Sequence, residues 1–181
     1  MKRRLKLYDK TFEEFISNEE IKRAVATLAG RINNDYRGKE PPIFLGVLNG
    51  AFMFMGELMQ QIDIPCELSF VKLASYHGAS STGRIKELIG LGDNIFGRHI
   101  IVVEDIVDTG ESIRHLMRSL VGHEPASVEV ATLLYKPGAY KNDIPIKYAG
   151  LEIGNDFIVG FGLDYNQLGR NLKDIYVIVN E

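Results

Sequence analysis

The feature that most restricts the fold is the stretch IIVVEDIVDTGESI at residues 100–113, where an aliphatic run ends at two acids. Ile100 to Val103 show no alternation of apolar and polar residues, which is typical of a strand covered on both faces. Further along, apolar residues recur with the helical period, at Ile113, Leu116, Met117 and Leu120. The stretch therefore predicts a buried strand, a tight turn and a helix.

Patterns of strand and helix alternate along most of the chain. From Ile21 to Ile32 apolar residues fall on one helical face, preceded by a capping box at Ser17–Glu20. A second helix is predicted from Phe52 to Ile62. Strands are predicted at residues 42–48, 66–76, 84–90, 98–106, 126–136, 156–163 and 175–179. This order predicts an α/β fold with a central, mostly parallel sheet flanked by helices, where ligands bind beyond the carboxyl ends of the strands.

Composition narrows the class of protein. The 181 residues are 45% hydrophobic, which suffices for one globular domain over residues 1–181. A net charge of -3 gives no basic excess to neutralise phosphates, so nucleic acid is not an expected partner. The single cysteine, Cys66, favours a reducing compartment, and no apolar stretch reaches the roughly 18 residues of a membrane span. We expect a soluble, cytoplasmic protein with no membrane partner.

The acids and the turn after the central strand suggest a chemistry. Thr109-Gly110-Glu111-Ser112 leads into a helix, and free backbone N–H groups at a helix start can cradle an anion. Carboxylates beside a phosphate would repel it, unless they hold sugar hydroxyls or meet the phosphate through Mg²⁺. The combination predicts binding of a phosphorylated sugar with a metal. A Walker loop would need Gly-Lys-Ser/Thr, which the chain lacks.

Two other interpretations of this stretch remain open at the level of sequence. One is an ordinary strand–turn–helix joint, in which Thr109 caps the helix and the acids are solvated. The other is the Asp-Thr-Gly motif of aspartic proteases, whose carboxylate pair shares a proton. That motif belongs to an all-β fold, whereas a helical period follows here, so the pattern disfavours it.

The segment VVEDIVDTGES resembles the ribose-phosphate signature of type I phosphoribosyltransferases. The wider chain is similar to the hypoxanthine-guanine (6-oxopurine) branch, through GVLNGAF, SYHGASSTGRIKEL, LLYKP and FIVGFGLDYNQLGR. The resemblance implies a small hood beside the main sheet and a mobile lid loop at about residues 74–84, with Ser75 and Tyr76 covering the reacting centre. It also implies a homodimer or homotetramer and the Mg²⁺-dependent reaction of 5-phosphoribosyl pyrophosphate with a 6-oxopurine, which gives the nucleoside monophosphate and pyrophosphate.

The resemblance assigns roles around the central turn. Asp108 would exchange a proton with a purine ring nitrogen, as a general acid or base. Glu104 and Asp105 would hold the ribose diol, which also positions Mg²⁺. The 5′-phosphate would lie against Asp108, Thr109, Gly110, Glu111 (through its backbone) and Ser112.

The pyrophosphate site is implied by the segment VLNGA. A cis Leu48-Asn49 peptide and Gly50 would bind pyrophosphate through backbone amides, and Arg170 would contact it through its guanidinium. Many relatives carry lysine where this chain has Asn49, so the backbone is the expected contact there. On sequence alone, Asn49-Gly50 can equally be a simple turn and Arg170 an ordinary surface arginine.

The resemblance also assigns the purine site. Lys136 would donate to the exocyclic oxygen of the base, and since an ammonium offers donors only, it favours an oxo group over an amino group. Phe157 would stack on the ring, Ile158 would offer backbone hydrogen bonds, and Asp164 would be a metal-linked aspartate near the base. Taken singly, Lys136 could be a solvated strand-end lysine and Phe157 a core residue.

Two alternative functions remain open. The nearer one is an enzyme of the same kind that prefers xanthine, because the base edge is read largely by backbone groups. The more distant one is a regulator on the same fold that senses the metabolite and binds nucleic acid. Such a regulator needs a basic face, and the only Lys/Arg cluster of the sequence is Lys2-Arg3-Arg4.

Overall fold

The computed structural model describes residues 2–74, 86–89 and 95–179, with only the backbone described for 74 and 86–89. Ser75 and Tyr76, and with them nearly all of the predicted lid, lie outside the described residues. Within the described part the elements are β1 (Arg4–Leu7), β2 (Lys10–Ile16), α1 (Asn18–Tyr36), β3 (Ile43–Leu48), α2 (Phe52–Met59), β4 (Glu67–Ala74), β5 (Lys86–Ile89), β6 (His99–Val107), α3 (Glu111–Val121), β7 (Ser127–Tyr135), β8 (Tyr148–Glu152), β9 (Ile158–Val159) and β10 (Ile175–Ile178).

The larger sheet has the order β5-β4-β3-β6-β7-β8. Its strands β4, β3, β6, β7 and β8 are parallel to their neighbours, and β5 joins the edge antiparallel. This confirms the mostly parallel sheet. β6 lies in the middle between β3 and β7, and the side chains of Ile100 to Val103 are fully buried. The missing alternation therefore reflects cover on both faces, as predicted.

Helix α1 begins where the sequence predicts. The Ser17 side chain accepts a hydrogen bond from the Glu20 amide, and the Glu20 carboxylate accepts one from the Ser17 amide, which completes the capping box. One face of the helix is buried, including Ile21, Val25 and Leu28. This face packs into the core beneath the larger sheet.

The second sheet is small and entirely antiparallel, with the order β1-β2-β10-β9. The strands predicted at residues 156–163 and 175–179 both belong to this hood, and β9 contains only Ile158 and Val159. An apolar run predicts a strand but not its partner, and here β10 pairs with β9 and with β2 from near the other end of the chain. The strands β1, β2 and β8 were not predicted.

The hood shares its core with the larger sheet. Ile16, Ile158 and Ile175 belong to the same buried cluster as Ile101 and Val103 of β6. The two sheets are therefore fixed against each other by continuous apolar packing. Among the described helices, none combines the length and apolar character needed to cross a membrane.

Candidate active site

The site begins with the two acids near the end of β6. Glu104 is only 6% exposed and Asp105 only 8%. Burial raises the pKa of Glu104 well above its usual range, and the charge of Asp105 adds to the effect. Burial also raises the pKa of Asp105 to about 6, although the Ile106 amide and Arg170 oppose the rise. The pair is therefore costly to ionise in the free protein, and a ligand that brings hydroxyl donors or positive charge relieves that cost.

The turn after β6 forms an open helix start. Gly110 is the N-cap of α3 in the left-handed region, with φ +82°, and as a glycine it has no side chain to cap the helix. The cap is thus not Thr109, as the simple-joint interpretation requires. The Arg114 N–H donates to the Gly110 carbonyl over 2.9 Å, so the amides that precede it in the first turn have no intrahelical acceptor. Residues 104–113 line a cavity of about 250 Å³ beside these amides, a geometry suited to an anion.

The segment after β3 closes the site from a second strand. The peptide bond between Leu48 and Asn49 is cis, as predicted, and the Asn49 side chain is exposed. The backbone of Gly50 lies so close to the Asp105 carboxylate that a Cβ at Gly50 would collide with it. A Cβ at Gly162, in the hood, would collide in turn with the Gly50 carbonyl. Three segments that are distant in sequence therefore meet at Gly50.

Replacing Gly50 with alanine is expected to lower the free energy of unfolding by about 1–3 kcal/mol, because the new Cβ must displace the buried Asp105 carboxylate. Chemical denaturation followed by circular dichroism measures the change. Gly56→Ala is the matched control, since Gly56 lies within α2 with no atom near its Cβ position. That control should be neutral or stabilising, by up to about 1 kcal/mol. Equal stability of the Gly50 and Gly56 variants would contradict the close packing.

Lys136 is buried at the end of β7. Only 5% of the residue is exposed, and its Nζ donates to Asp108 Oδ2 over 3.1 Å. Its amide donates to the Val107 carbonyl over 3.0 Å, which fixes the residue beside the end of β6. A lysine held in this way is not the solvated strand-end residue that its position in the sequence alone would suggest. The structure therefore brings the predicted base-recognition residue and the predicted acid/base residue into direct contact.

A second cavity, of about 170 Å³, lies beside this pair. It collects the predicted purine residues and Arg170 in one place. Phe157 is 45% exposed, so it is not a core residue, and its ring meets Tyr165 edge to face with centroids 5.9 Å apart. Ile158 is buried. The residues that line the cavity are Asp105, Ile106, Asp108, Lys136, Phe157, Ile158, Leu163, Asp164 and Arg170.

Asp164 and Arg170 were predicted in separate roles, but the structure pairs them. Arg170 Nη2 lies 2.5 Å from Asp164 Oδ1, and Arg170 Nη1 donates to the Gly162 carbonyl over 2.7 Å. The second Asp164 oxygen accepts from the Gln167 amide over 2.7 Å. These contacts fix the conformation of the loop between β9 and β10 beside the cavity.

Sequence reasoning missed two of the cavity residues, Ile106 and Leu163. Both are partly buried aliphatic residues, and no pattern in the sequence separates them from the core. The described residues contain no group of three or more His, Cys, Asp or Glu side chains placed to hold a metal. Glu104, Asp105 and Asp164, which the resemblance links to metal binding, therefore do not form a cage on their own.

The fold and the site together define an α/β protein with a polar cleft at the carboxyl edge of a parallel sheet, walled by a small antiparallel sheet. The family model for the phosphoribosyl transferase domain matches residues 12–166. The chain belongs to the phosphoribosyltransferase family, which confirms the resemblance seen in the sequence.

Similar proteins from two bacteria belong to the same family. The chain is 41% identical over 167 residues to the hypoxanthine-guanine phosphoribosyltransferase of Streptococcus pneumoniae strain R6, with 92% of each chain covered. It is 37% identical over 164 residues to that of Staphylococcus aureus strain Mu50, covering 90% of this chain and 91% of the relative.

Solved structures show the same architecture. A hypoxanthine phosphoribosyl transferase of Trypanosoma cruzi matches with a TM-score of 0.87 at 31% identity, over 97% of this chain and 95% of that one. A hypoxanthine-guanine phosphoribosyltransferase of Bacillus anthracis, with HEPES in its active site, matches with a TM-score of 0.85 at 35% identity. That match covers 92% of this chain and 98% of the other.

Proposed function

We propose that this chain is a purine-salvage phosphoribosyltransferase, which converts 5-phosphoribosyl pyrophosphate and hypoxanthine or guanine into IMP or GMP and pyrophosphate. The observation that carries the proposal is the Lys136–Asp108 contact. It lies between the cavity at the start of α3 and the cavity that contains the Phe157 ring. A sugar phosphate on one side and a purine on the other would meet at Asp108. That is the position a proton exchange with the base requires.

The sugar phosphate is proposed to occupy the cavity at the start of α3. Amides of the turn, with the Ser112 and Thr109 hydroxyls, would surround the 5′-phosphate. The ribose hydroxyls would then donate to the buried carboxylates of Glu104 and Asp105. Positive charge that develops on the ribose as the pyrophosphate leaves would also be stabilised by these carboxylates.

The base is proposed to occupy the second cavity. Phe157 presents an exposed ring that can stack on a purine, and the Ile158 backbone lies beside it. Lys136 would donate to the exocyclic oxygen, while Asp164 remains near the base in its pair with Arg170. In the free protein the Lys136 ammonium donates a hydrogen bond to Asp108. When the base binds, Lys136 would donate to the exocyclic oxygen of the base as well as, or instead of, Asp108. The Asp108 carboxylate would then be available to a ring nitrogen.

Pyrophosphate is proposed to lie against the Leu48–Asn49 peptide, Gly50 and Arg170. Mg²⁺ fits this arrangement, because it is usually held by one or two carboxylates together with substrate oxygens and water. Glu104 and Asp105 are two buried carboxylates, and the described residues place no third His, Cys, Asp or Glu beside them to complete a metal site, which agrees with this mode of binding. When bound, Mg²⁺ would neutralise charge on the pyrophosphate and so make it a better leaving group. The protein's own contribution is to orient the pyrophosphate through the backbone and Arg170.

Four further expectations belong to the proposal. We propose that residues 1–181 act as one domain, and that Ser75 and Tyr76 cover the reacting centre. A cytoplasmic setting suits the exposed free thiol of Cys66. A homodimer or homotetramer is supported by exposed apolar side chains such as Phe52 and Leu68, which light scattering of the purified protein would test.

Steady-state assays of hypoxanthine, guanine, xanthine and adenine with 5-phosphoribosyl pyrophosphate test the proposal. We expect turnover of hypoxanthine and guanine and little turnover of adenine. We also expect EDTA to abolish the activity by removing Mg²⁺, and added Mg²⁺ to restore it. The highest kcat/KM with xanthine would replace the proposal with the xanthine-preferring alternative. No turnover of any purine, together with salt-dependent nucleic-acid binding, would replace it with the regulator.

A further inference from the structure

The segment after β7 contacts the turn after β6, here called the phosphate turn, from outside the cavity that residues 104–113 line. The Asn142 side-chain amide donates to the Thr109 carbonyl over 2.8 Å, and the Lys141 amide donates to the same oxygen over 3.3 Å. The Tyr140 ring and the Asn142 amide also lie against Gly110, where a Cβ would meet both. The turn is therefore held from behind by residues 140–142.

The segment is itself fixed in place. The Tyr140 hydroxyl donates to the Ile144 carbonyl over 2.6 Å, and the Tyr140 ring meets Tyr135 edge to face at 5.5 Å. The Tyr140 amide donates to the Lys136 carbonyl over 3.1 Å. These contacts anchor the short turn that carries Asn142 to the end of β7.

The contact with Thr109 sets the direction of one amide in the turn. The cis bond of the described residues is Leu48–Asn49, so the Thr109–Gly110 peptide is trans. In a planar trans peptide the carbonyl and the following N–H point in opposite directions. A Thr109 carbonyl directed at Asn142 therefore directs the Gly110 N–H away from the segment 140–142, which does not line the cavity beside the turn.

We propose that Asn142 is a positioning residue for phosphate binding, which acts by holding the Thr109–Gly110 peptide in the orientation that presents the Gly110 N–H to the anion. The inference rests on the proposed function. Asn142 does not itself contact the phosphate. Without its amide, the Thr109 carbonyl keeps, among the contacts of the described residues, only the longer bond from the Lys141 amide, and the peptide can rotate to face the anion with oxygen instead of hydrogen.

Isothermal calorimetry of Asn142→Ala with GMP and with guanosine tests this role, because the two ligands differ only in the 5′-phosphate. We expect the affinity for GMP to fall by about threefold to tenfold, which corresponds to one net hydrogen bond, with guanosine affinity unchanged. Asn142→Asp should lower GMP affinity further, since a carboxylate cannot donate to the Thr109 carbonyl and adds negative charge near the anion. Asn34→Ala, on the exposed face of α1, is the control and should change neither affinity.

The outcomes separate the inference from the proposed function. A wild-type protein that binds GMP no better than guanosine would overturn the proposed function and the inference with it. A wild-type preference for GMP that Asn142→Ala leaves intact would overturn the inference alone. Equal losses for GMP and guanosine would show a general disturbance of the site, and would also overturn the positioning role.

Discussion

Replacing Asp108 with asparagine is expected to lower kcat by about 10²- to 10⁴-fold, the usual contribution of a positioned general acid or base. Asparagine keeps the shape of the side chain and an oxygen that can accept from Lys136, but it cannot exchange a proton with a purine nitrogen. The KM for 5-phosphoribosyl pyrophosphate should therefore change little. Steady-state kinetics with guanine, over a range of both substrates, measure the two effects separately.

The control for Asp108 is Asp143→Asn, which neutralises an exposed acid in the segment after β7. This variant should keep the turnover of the wild type. A kcat for Asp108→Asn within threefold of the wild type would remove Asp108 from proton transfer. In that case the role of Asp108 would be limited to its contact with Lys136.

Replacing Lys136 with methionine is expected to reduce the guanine-to-adenine ratio of kcat/KM by about 10- to 100-fold, because a charged hydrogen bond to the oxo group is lost. Methionine keeps the apolar stem that packs at the end of β7, so the buried site stays filled. Because the substitution also removes the hydrogen bond from Lys136 to Asp108, it can lower the turnover of all purines by the same factor. The ratio between two purines removes that common effect, and competition assays with both bases measure it directly.

Lys141→Ala provides the comparison for Lys136, since it removes an exposed ammonium from the same segment and keeps the backbone amide. Its guanine-to-adenine ratio should match the wild type. If Lys136→Met also retains the wild-type ratio, the exocyclic oxygen is recognised by another group, and the Ile158 backbone becomes the first candidate.

The sequence predicted the main sheet apart from its edge strand β8, because the signals of the other strands are local. The unbroken run Ile100–Val103 is typical of a strand covered on both faces, and the Ser17–Glu20 capping box locates the start of α1. The hood strands carry weaker signals. β1 alternates exposed and partly buried side chains over only four residues, and β9 has two residues, so each gives little periodic signal.

The residues of the site were predicted through the resemblance, whereas the contacts between them could not be. Lys136 and Asp108 lie on successive strands, and their ion pair depends on the register between β6 and β7. Asn142 carried no signal at all, because an asparagine in a polar turn is ordinary. Its relation to Thr109 appears only once the segment after β7 has folded back over the start of α3.

The pairing of the hood has a consequence for the order in which the two halves of the site are completed during synthesis. The turn between β6 and α3 is held by contacts from residues no further along the chain than Asn142, all of which are synthesised before β10. The hood pairs β2 with β10, from opposite ends of the chain, and an isolated β1–β2 hairpin is only marginally stable in water. The hood around Phe157 is therefore expected to assemble last, and a nascent chain that ends before Ile175 is expected to form the proposed sugar-phosphate cavity without the proposed purine cavity.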